Sequence, residues 1–173
     1  MRRLILFRHA KSAYPDGVED HDRPLDERGR ADAPRMGAYL AAEALLPDLV
    51  LVSSARRTRE TFALAGSALG PVDTREEPRI YEAPAERLLG VVRETPDAVR
   101  TLLLVGHNPG MEDLASTLVG YGDRYAFARL QQKFPTAAIA VIDLEAERWS
   151  EVVAREGRME RFVTPKGLAT TEG

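Results

Sequence analysis

Arg3-Leu4-Ile5-Leu6-Phe7-Arg8-His9-Ala10-Lys11-Ser12 is an apolar run that stops abruptly on an arginine and a histidine. Leu4 to Phe7 is too short for a stable isolated helix, and its side chains suit a strand buried on both faces. The ionisable pair then falls at the strand's carboxyl end, where the loops and helix amino ends of an open α/β sheet converge on one crevice. Taken alone, the pair also reads as no more than the polar end of a strand. A second run, Thr101-Leu102-Leu103-Leu104-Val105-Gly106-His107-Asn108-Pro109-Gly110, repeats the arrangement. Two buried strands ending on histidine are hard to ascribe to chance in a chain with three histidines.

The 173 residues suit one domain with a single core. Lys plus Arg number 24 against 27 Asp plus Glu, a net charge of -3, so no global basic field recruits nucleic acid or an anionic membrane. Any anion site must be local. With no cysteine, disulfides, thiolate metal sites and a cysteine nucleophile are excluded. The apolar run behind Arg2 and Arg3 is too short for a signal peptide or a membrane span, so a soluble, cytoplasmic protein is expected.

Asp26 is expected to cap a helix starting near Glu27, with Ala33, Met36, Leu40, Ala41 and Ala44 on one face. Pro34 inside it predicts a kink, or a restart capped by Asp32. Leu49 to Val52 reads as a second buried strand, followed by Ser53-Ser54 and a helix from about Ala55 to Leu69. Arg56, Arg57 and Arg59 crowd the start of that helix, the wrong charge for its dipole. An anion lying between them and the strand ends accounts for the cluster; so do arginines simply in water. Val72 to Arg75 reads as an edge strand, Glu77 to Pro84 as a loop and Ala85 to Arg93 as a helix. Asn108 and Pro109 suit the cap and first position of a helix running to about Val119, closed by Gly120 and Gly122. Residues 121–135 show no clear pattern. Thr136 to Leu144 and Trp149 to Ala154 predict a hairpin. Residues 1–156 are therefore expected to form the domain and 157–173 a C-terminal tail, partly ordered or packed on it. The class is α/β, a three-layer α/β/α sandwich with a mainly parallel central sheet.

Strand ends carrying Arg8-His9, Ser53 onward to Arg57, and Gly106-His107-Asn108 make a poor metal site and a good phosphoryl site. Guanidinium binds phosphate oxygens through paired hydrogen bonds. A neutral imidazole attacks phosphorus when its other nitrogen donates to a fixed acceptor. No Gly-x-Gly-x-x-Gly turn follows the first strand, which argues against dinucleotide binding.

Arg8-His9-Ala10, Ser53 with Arg57 and Thr61 at four-residue steps, and Gly106-His107-Asn108 together resemble the histidine phosphatase superfamily, with its phosphoglycerate mutase-like fold. The family's first motif has glycine where this chain has Ala10, which requires negative φ there. Arg8-His9-Ala10-Lys11-Ser12, Arg23-Pro24-Leu25, Arg28-Gly29 and the short length are most similar to the SixA-type phosphohistidine phosphatases. The resemblance implies that His9 is the phosphorylated nucleophile and that Arg8, Arg57 and His107 clamp the phosphoryl oxygens. Arg56 and Arg59 would point to solvent or to acidic neighbours. It sets Glu82 roughly where many members keep a leaving-group acid; an exposed loop carboxylate is the other reading. Ser12 either donates to phosphate or ends its turn, and His21 is expected to be a solvated loop histidine. The implied activity is a metal-independent, cofactor-free phosphatase acting on phosphohistidine in a protein. The alternatives are a small-molecule phosphomonoesterase or mutase, or a phosphate-dependent binding module. Neither nucleic acid nor membrane is expected as a partner.

Overall fold

The aliphatic runs 4–7, 49–52 and 102–105 are buried along their whole length and lie in neighbouring strands of one seven-stranded sheet. The structure, a computed structural model, describes residues 1–172. Its strands are β1 (Arg2–Arg8), β2 (Leu49–Val52), β3 (Asp73–Glu76), β4 (Thr101–Gly106), β5 (Val119–Gly122), β6 (Ile139–Leu144) and β7 (Gly157–Val163), in the order β3-β2-β4-β1-β6-β7-β5. Strands β1 to β4 are mutually parallel, β6 runs antiparallel to both β1 and β7, and β5 is parallel to β7. The sheet is thus mostly parallel, as expected for strands joined by helical crossovers.

Side chains alternate between the faces. Ile5, Phe7, Leu103 and Val105 pack under α1 (Glu27–Ala42) and α2 (Arg56–Gly66), against Met36, Leu40, Phe62 and Ala65. Leu4, Leu6, Leu102 and Leu104 pack on the other face beneath α3 (Ala85–Arg93), α4 (Gly110–Leu118) and α5 (Arg124–Gln132), with Leu88, Val92, Leu114 and Leu130. A final helix, α6 (Pro165–Glu172), lies beside α1. Among the described residues no helix is long and apolar enough to cross a membrane.

Several local expectations need correction. Asp26 caps α1 by accepting from the Gly29 amide at 2.8 Å, but the helix runs through Pro34 without restarting. Asp32 instead pairs with Arg28 at 3.5 Å and Arg35 at 3.4 Å. Trp149–Glu151 is a short 3-10 turn, not a strand; the Trp149 ring is fully buried and donates through Nε1 to the Val99 carbonyl at 2.7 Å. The antiparallel partner of β6 on that side is β7, supplied by the polar segment expected to be a tail, and β7 lies inside the sheet between β6 and β5. A register shift between Val141 and Ile142 breaks the two-residue period that would have revealed it. Gly120 and Gly122 belong to β5 rather than to a helix stop, and the unassigned stretch holds α5, whose cap Asp123 accepts from Ala126 at 2.9 Å. Gly173 of the expected tail lies outside the described residues.

Helices α1 and α2 touch closely at Gly37, where an added Cβ would sit 2.1 Å from the Ala65 carbonyl oxygen. Gly37→Ala should therefore destabilise the fold by about 1–3 kcal/mol. Gly90→Ala in α3, where a Cβ meets open space, should be neutral or stabilising by up to about 1 kcal/mol. Urea denaturation of the two variants checks the contrast; equal midpoints would contradict the packing described.

Candidate active site

Register brings the two histidines together. Arg8 of β1 is level with Gly106 of β4, and Val52 of β2 with Val105, so the next residues, His9, His107 and Ser53, emerge at one sheet end. The two imidazole centroids are 5.3 Å apart. His9 is 7 % exposed, His107 5 % and Arg57 5 %. These polar side chains are largely enclosed, which must be offset by partners inside the site.

His9 Nδ1 lies 2.7 Å from the Ala10 carbonyl oxygen. A carbonyl only accepts, so Nδ1 carries the proton and Nε2 keeps its lone pair. Ala10 holds a negative φ and is fully buried, so alanine serves at the position where the family motif has glycine. For His107, Nε2 lies 2.7 Å from Ser53 Oγ, which also accepts the Ala55 amide at 3.4 Å. Assigning Ser53 Oγ as the donor to Nε2 places the proton of His107 on Nδ1, the ring nitrogen left without a partner.

The guanidiniums follow a common plan. Arg8 donates through Nη1 to the Phe134 carbonyl at 2.7 Å, and Arg57 donates through Nη1 and Nη2 to Asp20 O and Oδ2 at 2.7 and 3.1 Å. Both leave Nε buried without a partner, as is Nδ1 of His107. Unpaired buried donors are rare and costly. Three such atoms belong to His107, Arg8 and Arg57, whose ring and charges act on His9, a set of groups chemically suited to a tetrahedral oxyanion.

Burial, reinforced by Arg57, Arg8 and Arg23 and opposed by the Ala10 carbonyl, pushes the His9 pKa down to about 3. Burial, then His9, Arg57 and Arg8, pushes His107 down to about 3 as well. Both rings are therefore neutral at pH 7. Burial also lowers the Arg8 guanidinium from its ordinary value, though such a group keeps its charge at physiological pH.

A second ring of residues surrounds these groups. Asp20 accepts from Tyr81 Oη at 2.5 Å and from Arg23 Nε at 3.1 Å, in addition to Arg57. The Tyr81 hydrogen bond, with help from Arg23 and Arg57 against burial, holds the Asp20 carboxyl well below the usual carboxylate range. Burial and the Asp20 partner push the Tyr81 phenol up to about 12, so it remains a donor. Its ring stands edge-on to His107 at 5.5 Å and to His21 at 4.7 Å. His21 also meets Ser54 Oγ at 2.9 Å, while its side chain stays 40 % exposed, so it is a half-solvated loop residue with partners on its inner side.

The structure thus brings Arg8, His9, Arg57 and His107 into one cluster. Ser12 does not border it as a free hydroxyl: its Oγ accepts from Arg23 Nη1 at 2.7 Å. Glu82 is exposed, directly after Tyr81, with a φ of 52°. Arg56 pairs with Glu60 at 3.2 Å and Arg59 with Glu76 at 3.6 Å, the acidic neighbours anticipated for them. Asp20, Arg23 and Tyr81 were missed by sequence reasoning. The one available signal was the run Asp20-His21-Asp22-Arg23, four ionisable residues in succession just before Pro24. Among the described residues, no group of three His, Asp or Glu side chains is arranged to hold a metal ion.

A mostly parallel sheet with paired histidines and arginines at its carboxyl end is the arrangement of the histidine phosphatases. The sequence model of the histidine phosphatase superfamily (branch 1) matches residues 4–95, and the chain belongs to that family of phosphatases. It is 41% identical over 148 residues to an uncharacterised Mycobacterium tuberculosis protein, covering 84% of this chain and 91% of that one. Two solved structures carrying the name phosphohistidine phosphatase SixA superpose on it. The Agrobacterium tumefaciens structure gives a TM-score of 0.81 at 32% identity, covering 95% of this chain and 98% of the other. The Nakamurella structure gives 0.83 at 27%, covering 95% and 96%. The fold is phosphoglycerate mutase-like.

Two predictions follow from the imidazoles. An unfolded histidine takes up a proton near pH 6.5, whereas the native rings do not until about pH 3. Their contribution to stability is therefore intact above about pH 6.5 and is lost as pH falls towards 3. In an NMR titration the His9 and His107 rings should keep neutral shifts from pH 8 to 5; a midpoint near 6.5 for either would contradict the burial. Ser53→Ala should free the His107 tautomer, giving a mixed ring nitrogen signature and raising KM for phosphate substrates about tenfold, with the fold retained.

Proposed function

We propose that this protein is a metal-independent phosphatase that works through a phosphohistidine intermediate on His9, with phosphohistidine in a protein as its substrate. The observation that carries the reading is the 2.7 Å contact between His9 Nδ1 and the Ala10 carbonyl, which leaves a neutral Nε2 lone pair among guanidiniums. Nε2 forms a bond to phosphorus while the bond from phosphorus to the leaving nitrogen breaks; the electron pair goes to the substrate ring, which carries a proton on its second nitrogen and so departs as neutral imidazole. The phosphoimidazole gains positive charge, and the Nδ1–H to Ala10 hydrogen bond strengthens with it. Water then attacks phosphorus, one of its protons passes to a phosphoryl oxygen, and the Nε2–P electron pair returns to the ring, releasing dihydrogen phosphate and neutral His9. Arg8 and Arg57 through Nε, and His107 through Nδ1–H, hold the equatorial oxygens. Positioning and charge supply most of the catalysis in such a loose transition state.

The choice of substrate rests on the leaving group. Of the carboxylates near the mouth, Asp20 is ionised and occupied by Tyr81, Arg23 and Arg57, and Glu82 is exposed on its loop. Neither is a buried acid poised to protonate an alkoxide, whereas a departing imidazole needs less help. The name carried by the Agrobacterium relative points the same way. If Glu82 protonates the leaving group, Glu82→Gln slows alkyl phosphates more than phosphohistidine.

Mixing the protein with a radiolabelled phosphohistidine peptide and quenching in alkali should trap label on the wild type and none on His9→Ala. The variant's turnover should fall at least about a thousandfold, and excess chelator should leave the wild-type rate unchanged. Undiminished turnover by His9→Ala would overturn the reading. Binding without a labelled intermediate would mark a phosphate-dependent binding module. Preference for a phosphate ester over phosphohistidine would mark a small-molecule phosphatase or mutase.

A further inference from the structure

Beside the catalytic cluster lies a cavity of about 280 Å³, bordered by Arg28, Arg129, Lys133, Thr136, Thr164 and Lys166. Among the described residues no Asp or Glu lines it. It sits at the same end of the sheet as His9. The segment that follows α5 forms part of its wall through Lys133, Pro135 and Thr136. The same segment presents the Phe134 carbonyl to Arg8 at 2.7 Å, and its Ala137 amide donates to the His9 carbonyl at 2.9 Å. A group bound in the cavity therefore lies one residue of chain away from the backbone carbonyl that anchors Arg8.

The charge there is unusual for this molecule, whose net charge is -3. Arg28 has Asp32 as a partner at 3.5 Å on the helix side. Arg129 and Lys133 are exposed, and among the described residues neither pairs with a carboxylate. Concentrated positive charge in a concave wall attracts anionic segments and speeds their arrival.

We infer that this cavity is a docking site for an acidic segment of the phosphoprotein, next to the phosphohistidine that enters the catalytic cluster. The inference rests on the phosphoprotein reading given above and deepens it. Arg129 and Lys133 meet the carboxylates of the segment, Thr136 and Thr164 offer hydroxyls at its sides, and the phosphoryl group reaches His9 over the 133–138 strip. Specificity comes from charge pattern around the modified histidine rather than from a deep pocket for the imidazole itself.

Two synthetic phosphohistidine peptides, one flanked by glutamates and one by glutamines, test this. The wild type should favour the acidic peptide by about tenfold in kcat/KM, with the preference shrinking as salt is raised. Arg129→Glu with Lys133→Glu should abolish or reverse that preference while leaving turnover of the glutamine peptide unchanged. The milder Arg129→Gln with Lys133→Gln should abolish it too, and covers the case in which charge reversal disturbs α5. Equal rates for both peptides with the wild type, or an unaltered preference in both variants, would overturn the inference. Failure to hydrolyse either peptide would count against the phosphohistidine substrate instead. Docking is then read from fluorescence anisotropy of an unphosphorylated glutamate-rich peptide: binding by the wild type and not by the variants supports the site, and no binding refutes it.

Discussion

The backbone of two residues, His9 and Ala10, is held from every side, and the rest of the site depends on it. The His9 amide donates to the Gly106 carbonyl at 3.0 Å, its carbonyl accepts from the Ala137 amide at 2.9 Å, and the Ala10 amide donates to Thr61 Oγ1 at 2.9 Å. The Ala10 carbonyl then receives the imidazole. Strand β4, the approach to β6 and helix α2 each contribute one clamp, so the ring plane is set before any substrate arrives. Preorganisation of this kind is how a protein with no strong acid or base speeds phosphoryl transfer. Thr61 belongs to both sides of the arrangement, because its hydroxyl donates to the Arg57 carbonyl at 2.7 Å while accepting from Ala10. The His9-Ala10 backbone and Arg57 are thereby tied through one side chain.

A similar economy governs Arg8. The Phe134 carbonyl accepts from both Arg8 and Asn108 Nδ2, the latter at 3.1 Å, while the Phe134 amide donates to Glu112 Oε1 at 2.8 Å. Asn108 Oδ1 in turn accepts from the Glu112 amide at 3.2 Å. The backbone of one residue, held at its amide by Glu112 in the first turn of α4 and at its carbonyl by Asn108 just before that helix, therefore couples the two histidine motifs. The parallel pairing of β1 and β4 supplies the coarse alignment and this polar triangle supplies the fine one. The polar atoms of Phe134, Asn108 and Glu112 that form it are each partnered, which is the condition for such a network to stabilise rather than strain the fold, and the unpartnered atom is Arg8 Nε.

How much of this was legible depended on whether a feature is local. Runs of four aliphatic residues ending on Arg8-His9 and Gly106-His107 announce buried strands with polar ends, and the parallel class followed from their alternation with helices. The arginines of α2 were readable because a cation at a helix amino end is an anomaly that asks for an anion. Strand β7 was not readable. Arg158, Glu160 and Arg161 give it the polarity of a tail, and its pairing with β6 slips by a register shift. Asp20 and Tyr81 were invisible for another reason: 61 positions separate them, and each looks like an ordinary loop residue until the fold brings the Tyr81 hydroxyl and Arg57 onto the same Asp20 carboxylate. Pro34 misled in the opposite sense, since a proline removes only one amide donor and α1 has enough packing against the sheet to continue past it.

The free protein solves an electrostatic difficulty that the bound one would not have. Arg8, Arg23 and Arg57 crowd two neutral rings, and mutual repulsion would spread them if no anion were near. Asp20 relieves this by taking Arg57 and Arg23 together, and Tyr81 keeps its carboxylate ionised and in place. It binds Arg57 through the two Nη groups and not through Nε. Asp20 therefore occupies two nitrogens of this guanidinium and leaves the third without a partner. Positive charge beside the two rings is thus balanced by one carboxylate that belongs to the fold itself.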